Sequence, residues 1–122
     1  MIAHTLDREH SILHIRPQGA LEKADFEELA TVVDPFIAES GGLAGLIVET
    51  PGFPGWDSFG AMAAHLRFVR DHHRQIKRIA LVTDSALGNV AEHLVSHFVS
   101  AEIRRFPANG LDAAQQWVTD PA

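Results

Sequence analysis

Leu43-Ala44-Gly45-Leu46-Ile47-Val48-Glu49-Thr50, together with Lys77-Arg78-Ile79-Ala80-Leu81-Val82-Thr83, decides the fold. Each is a short apolar run bounded by turn residues, the signature of a strand covered on both faces. Between them Pro51-Gly52-Phe53-Pro54-Gly55 must be a loop, and Asp57 or Ser58 is placed to cap a helix that follows. In that helix Phe59, Met62, Ala63, Leu66, Val69 and His73 form the expected inner stripe, with Ala61, His65, Phe68 and His72 on the opposite side.

The pattern extends in both directions. Upstream, Thr5 to Gly19 alternates with a period of two around the polar break Asp7-Arg8-Glu9-His10-Ser11, which predicts a hairpin. Lys23 to Glu39 then carries Phe26, Leu29, Ala30, Val33, Phe36 and Ile37 on one helical stripe, with Asp25, Glu27 and Glu28 near its positive end. Pro35 is expected to kink or restart this helix, and Ser40-Gly41-Gly42 to end it. Downstream, Leu87, Val90, Ala91, Leu94 and Phe98 predict another helix, Glu102 to Phe106 a short last strand, and Leu111 to Val118 a closing helix that buries Leu111, Ala114 and Trp117 or Val118. The order is β-β-α-β-α-β-α-β-α. It calls for a single α/β layered domain over residues 1–122, a mixed, mostly parallel five-stranded sheet with about four helices and right-handed crossovers.

Composition narrows the function. The chain has 122 residues, 46 % hydrophobic and 21 % charged, as a globular domain does. It has no cysteine, which excludes disulfides, thiolate metal sites and cysteine nucleophiles and suits a reducing, cytoplasmic setting. The net charge of −6 excludes a strongly basic nucleic-acid footprint. Residues 1–50 hold Arg8, Arg16 and Lys23 against nine acids, a net of −6, while residues 51–122 balance seven against seven. Within the second half, Arg67, Arg70, Arg74, Lys77 and Arg78 face only Asp71, a local basic stretch suited to an acidic partner or an anionic surface. Met1 to Arg8 lacks the basic start and apolar run of a signal peptide, and no run approaches the ~20 apolar residues of a spanning helix.

Two places resemble a known family. Leu46-Ile47-Val48-Glu49 is followed, eight residues after the acid, by Asp57-Ser58-Phe59-Gly60. The later half carries Arg78-Ile79-Ala80-Leu81-Val82-Thr83-Asp84, then Ala101-Glu102-Ile103-Arg104-Arg105-Phe106 and a helix ending in Trp117. This order resembles the SpoIIAA-like, or STAS-like, domains of anti-sigma factor antagonists and the small stand-alone bacterial proteins related to them. In the antagonists an Asp-Ser-Ser-Gly motif opens the helix, and its second serine is the phosphoacceptor. Phe59 stands at that position here, so the resemblance implies a regulatory module without the phosphoswitch. Ser58 or Asp57 reads as the helix cap.

The expected binding cleft lies at the carboxyl edge of the parallel strands, where open α/β sheets bind ligands. It comprises Thr50, Phe53, Trp56, Asp57, Ser58, Asp84, Ser85 and Asn89. Phe53 and Trp56 either cover a small apolar molecule or lipid, which makes the chain a carrier, or plug the domain locally. A second candidate is an interaction face of Phe68 flanked by His65 and His72, suited to a protein partner or a homodimer. A third reading is an enzyme in which Glu49 and Asp84 share a site. His93 and His97 lie on one helix face but need a third ligand from His65, His72 or His73 before they hold a metal, and no cofactor is expected. Gly41-Gly42-Leu43-Ala44-Gly45 precedes a strand and cannot cradle phosphate at a helix start, and no nucleophile elbow is present.

Overall fold

A computed structural model describes residues 1–52, 55–84 and 99–120. Ile2–Asp7 (β1) and Ile12–Pro17 (β2) form the hairpin. Lys23–Ser40 (α1), Leu43–Glu49 (β3), Phe59–His72 (α2), Ile76–Val82 (β4), Glu102–Phe106 (β5) and Leu111–Thr119 (α3) follow, with a 3-10 turn at His73–Gln75. The strands lie side by side in chain order; β1 is antiparallel to β2 and every other pair is parallel. This is the mixed five-stranded α/β sheet expected. The helix expected around Leu87 to Phe98 lies outside the described residues.

Side-chain alternation along the strands builds two cores. Leu13 and Ile15, with Leu46, Val48, Ile79 and Ile103, face α1 and α2 and meet Phe26, Leu29, Val33, Phe36 and Ile37, and Leu43 and Ile76 at the strand starts join the same cluster. Ile12, Ile47, Ala80, Val82 and Phe106 face α3 and meet Ala114 and Val118. Leu13, Leu43, Ile47, Val33 and Val82 are the largest fully buried side chains, each worth about 1.5–3 kcal/mol of burial. On the α3 side a Cβ added at Gly45 would lie 2.7 Å from the Val118 Cβ, so glycine is what lets the helix approach β3. Arg78 Nη1 donates to the carbonyls of Trp117 (2.6 Å) and Asp120 (3.0 Å), satisfying the exposed end of α3.

Two expectations are corrected. Pro35 does not interrupt α1, which runs unbroken through it. Pro35 and Thr31, whose carbonyl loses its donor, are both on the exposed side, where water replaces the missing bond. The face of α2 is also inverted. Ala61, Ala64 and His72 are buried, while Phe59 and Leu66 stand 79 % and 61 % exposed. The two alanines permit close helix approach, and the rings of His65, Phe68 and His72 fill the seam against α1. Phe26 stacks on His65 at 4.8 Å, and Phe68 stacks on His72 at 4.1 Å. The interaction face expected at His65, Phe68 and His72 is therefore turned inward, and of the expected inner stripe Phe59 and Leu66 point outward while Val69 still packs against the core.

Candidate binding surface at the start of α2

The connection from β3 to α2 is stapled at several points. The Thr50 N–H donates to the Val82 carbonyl at 3.0 Å, and the Thr83 hydroxyl donates to the Pro51 carbonyl at 3.3 Å. Further along, Leu21 and Trp56 form a parallel bridge: the Leu21 N–H donates to Gly55 O (2.8 Å) and the Asp57 N–H to Leu21 O (2.9 Å). Gly55 makes the turn possible, with φ of 79° in the left-handed region. Of the two expected caps, Asp57 or Ser58, it is the Ser58 hydroxyl that accepts the Ala61 N–H at 3.0 Å and caps α2.

These staples gather Trp56, Asp57, Ser58 and Phe59 at the mouth of α2. The Trp56 indole N–H donates to His65 Nδ1 at 3.2 Å, and the two rings meet edge to face at 6.0 Å. Burial alone pulls the His65 pKa below its ordinary value, so the ring is held neutral with Nδ1 as acceptor. Beyond the mouth, Phe59, Ala63, Leu66 and Arg70 recur at i, i+4, i+7 and i+11 on one stripe. Arg67, Arg70, Arg74 and Lys77, at its far end, are all exposed. Arg70 bonds the neighbouring Asp71 at 3.0 Å and lowers its pKa.

Only part of the expected cleft assembles here. Thr50 follows β3 half-buried, and Asp84 turns to the β5–α3 connection, where it accepts the Ala108 N–H at 2.9 Å. Phe53, Ser85, Asn89, His93 and His97 lie outside the described residues. Glu49 does not share its expected partner either: its carboxylate bonds His14 Nε2 at 2.8 Å, so the two acids hold separate partners. Among the described residues no group of three or more His, Asp or Glu is arranged to hold a metal, and no helix is long and apolar enough to cross a membrane.

The His14–Glu49 pair was not foreseen. Its histidine lines a cleft of about 410 Å³ between the hairpin and α3, together with Thr5, His10 and Gln115. A histidine in mid-strand between Leu13 and Ile15 is the sequence signal for it, since a polar side chain on an apolar strand needs a partner. Nearer the mouth, His10 bonds Asp7 at 2.8 Å, which raises the imidazole pKa and lowers that of the acid.

Comparison with known proteins points one way. A family model described as SpoIIAA-like matches residues 12–119. An uncharacterised protein of the DUF3478 family from Shewanella loihica PV-4, solved by crystallography with a SpoIIAA-like fold, superimposes with a TM-score of 0.73 at 21 % identity. The match covers 96 % of this chain and 93 % of that one. No curated protein matches.

Proposed function

The chain belongs to the SpoIIAA-like family, and from that premise we propose that it is a non-catalytic regulatory module that binds a protein partner through the outward stripe of α2. Phe59 carries this reading. It stands 79 % exposed at the position that holds the phosphoacceptor serine in the antagonists the sequence resembles. An aromatic there cannot take a phosphate, so the contact it offers is apolar and permanent. Leu66 extends the apolar patch along the same stripe, and large exposed apolar groups in a row mark interaction sites. The exposed Arg67, Arg70, Arg74 and Lys77 select a partner whose apolar anchor is flanked by acids. The Ser58 hydroxyl is spent on the helix cap, which supports a surface without a phosphoswitch. A chain without cysteine is at home in the reducing cytoplasm, where the module would act.

Native and denaturing mass spectrometry of gently purified protein tests this. The expected result is a complex with a second polypeptide that Phe59→Ser or Leu66→Ser abolishes without unfolding the chain. A bare chain in every preparation overturns the proposal. A small passenger lost on denaturation replaces it with the carrier reading, and a homodimer insensitive to both substitutions moves the interface off α2.

A further inference from the structure

We propose that the cleft between the hairpin and α3 binds a small organic cation, an amidinium or amine on an apolar body, with the His14–Glu49 pair holding the cationic head. The site lies on the other face of the sheet from α1 and α2 and does not depend on the docking surface above. Strand register builds it. Thr5 of β1 lies opposite His14 of β2, and His14 lies opposite Ile47 of β3, so the three share one face. On that face α3 packs over β3, β4 and β5 and leaves a slot beside it, over the hairpin. The slot holds about 410 Å³, within the range of small-molecule pockets. Ile12 and Ile47 give it an apolar floor, and Gln115 of α3 stands on the facing wall.

The polar groups here are arranged to accept. His14 Nε2 lies 2.8 Å from Glu49 Oε1, and a carboxylate only accepts, so Nε2 carries the proton. In the neutral ring Nδ1 is then an acceptor, and Glu49 behind it keeps its charge. The two side chains are 15 % and 28 % exposed, enclosed enough to strengthen that charge and open enough to meet a ligand. Stability alone does not account for the pair, because apolar replacements of enclosed ion pairs are often neutral or stabilising. At the mouth, Asp7 and His10 favour each other's charged form and cancel. Among the described residues lining the slot none is a lysine or arginine, so an anion finds no counter-charge. Lys77 and Arg78 stand in an adjoining cleft beyond His10 and Thr119, which keeps a cation at the His14 end. Residues 1–50, which supply β1, β2 and β3, carry a net charge of −6. The isoleucine floor selects an organic cation over a hydrated inorganic one.

Three probes of the same shape and different charge test this: benzamidinium, benzamide and benzoate, each titrated to millimolar concentration into the isotopically labelled full chain. Amide chemical shifts are the readout. The expected result is a saturable response to benzamidinium at Thr5, His14 and the Gln115 side chain, with α1 and α2 unmoved. Benzamide should bind roughly tenfold more weakly, because it lacks the charge that Glu49 complements, and benzoate should not bind. Glu49→Gln should weaken benzamidinium by a similar factor. Gln115→Lys, on an exposed helix position, puts a cation at the slot without touching the core and should abolish binding if Glu49→Gln does not fold. Equal responses to the three probes, no saturable response at these residues, or undiminished binding in Gln115→Lys overturns the proposal.

Discussion

The two faces of the sheet are covered by different means. On one, α1 and α2 bury a broad aliphatic and aromatic layer whose seam contains histidine rings with hydrogen-bond partners. On the other, the short helix α3 is the one described helix, and it sits over β3 to β5 by close backbone approach at Gly45. The first face is filled by large side chains, whereas the second is a smaller core that closes because Gly45 has no side chain to hold α3 off. The polar groups differ accordingly. Those in the α1–α2 seam are enclosed and act on the packing, whereas His14, bonded to Glu49, lines an open cleft between the hairpin and α3.

Truncation of the thicker core should have the largest effect. Leu13→Ala is expected to cost about 2–5 kcal/mol in urea unfolding, because Leu13 is almost wholly buried against both helices. On the α3 face the sensitive change is an addition. Gly45→Ala should cost about 1–3 kcal/mol, and combining it with Val118→Ala should cost less than the sum of the two. Additive costs would show that α3 does not rest on Gly45.

Next in size is the seam between the helices. His72 directs Nδ1 to the Phe68 carbonyl at 2.7 Å and Nε2 to Asp34 at 2.6 Å. Asp34 is largely exposed, which limits the bond's worth, so Asp34→Ala should cost about 1 kcal/mol in urea. Acid should loosen the same seam through His65. Its folded pKa lies below the unfolded one, so the unfolded chain takes the proton more readily. This contribution to stability is intact above the ordinary value of 6.5 and is lost as pH falls through that value toward the lowered one. Thermal unfolding measured across that interval should show a downward drift that His65→Gln reduces.

The smallest effect is expected at Phe59. Because the ring is exposed, Phe59→Ser should change stability by no more than about 0.5 kcal/mol, whereas a packed phenylalanine would cost about 3–5 kcal/mol. That contrast separates the two possible faces of α2 directly.

The inversion of α2 marks where sequence stops being sufficient. α1 is legible because its large apolar residues all fall on one stripe, and the buried set Phe26, Leu29, Val33, Phe36 and Ile37 matches it. α2 divides its apolar residues between two stripes, with Phe59 and Leu66 exposed and Phe68 and Val69 packed against the core. The buried side combines small alanines with histidines, which hydropathy scores as polar until their partners on α1 and the loop are known. β3 and β4 are legible as apolar runs, but the partner of Glu49 depends on register. β2 pairs with β3 so that His14 lies opposite Ile47, one alternation from Glu49 on the same face. The gathering of Trp56, Asp57 and Ser58 was legible from the loop's position. The bridge that fixes it joins the single residues Leu21 and Trp56, far apart in the chain, and leaves no local pattern.

The outward stripe of α2 is the central claim, and photo-crosslinking in cells tests it most directly. A photoreactive phenylalanine analogue at position 59 is compared with the same group at position 116, on the exposed side of α3. The account predicts one discrete heavier species from position 59, carrying a second polypeptide and lost when Leu66→Asp is added, and none from position 116. Equal labelling from the two positions, or no adduct from position 59, would contradict it.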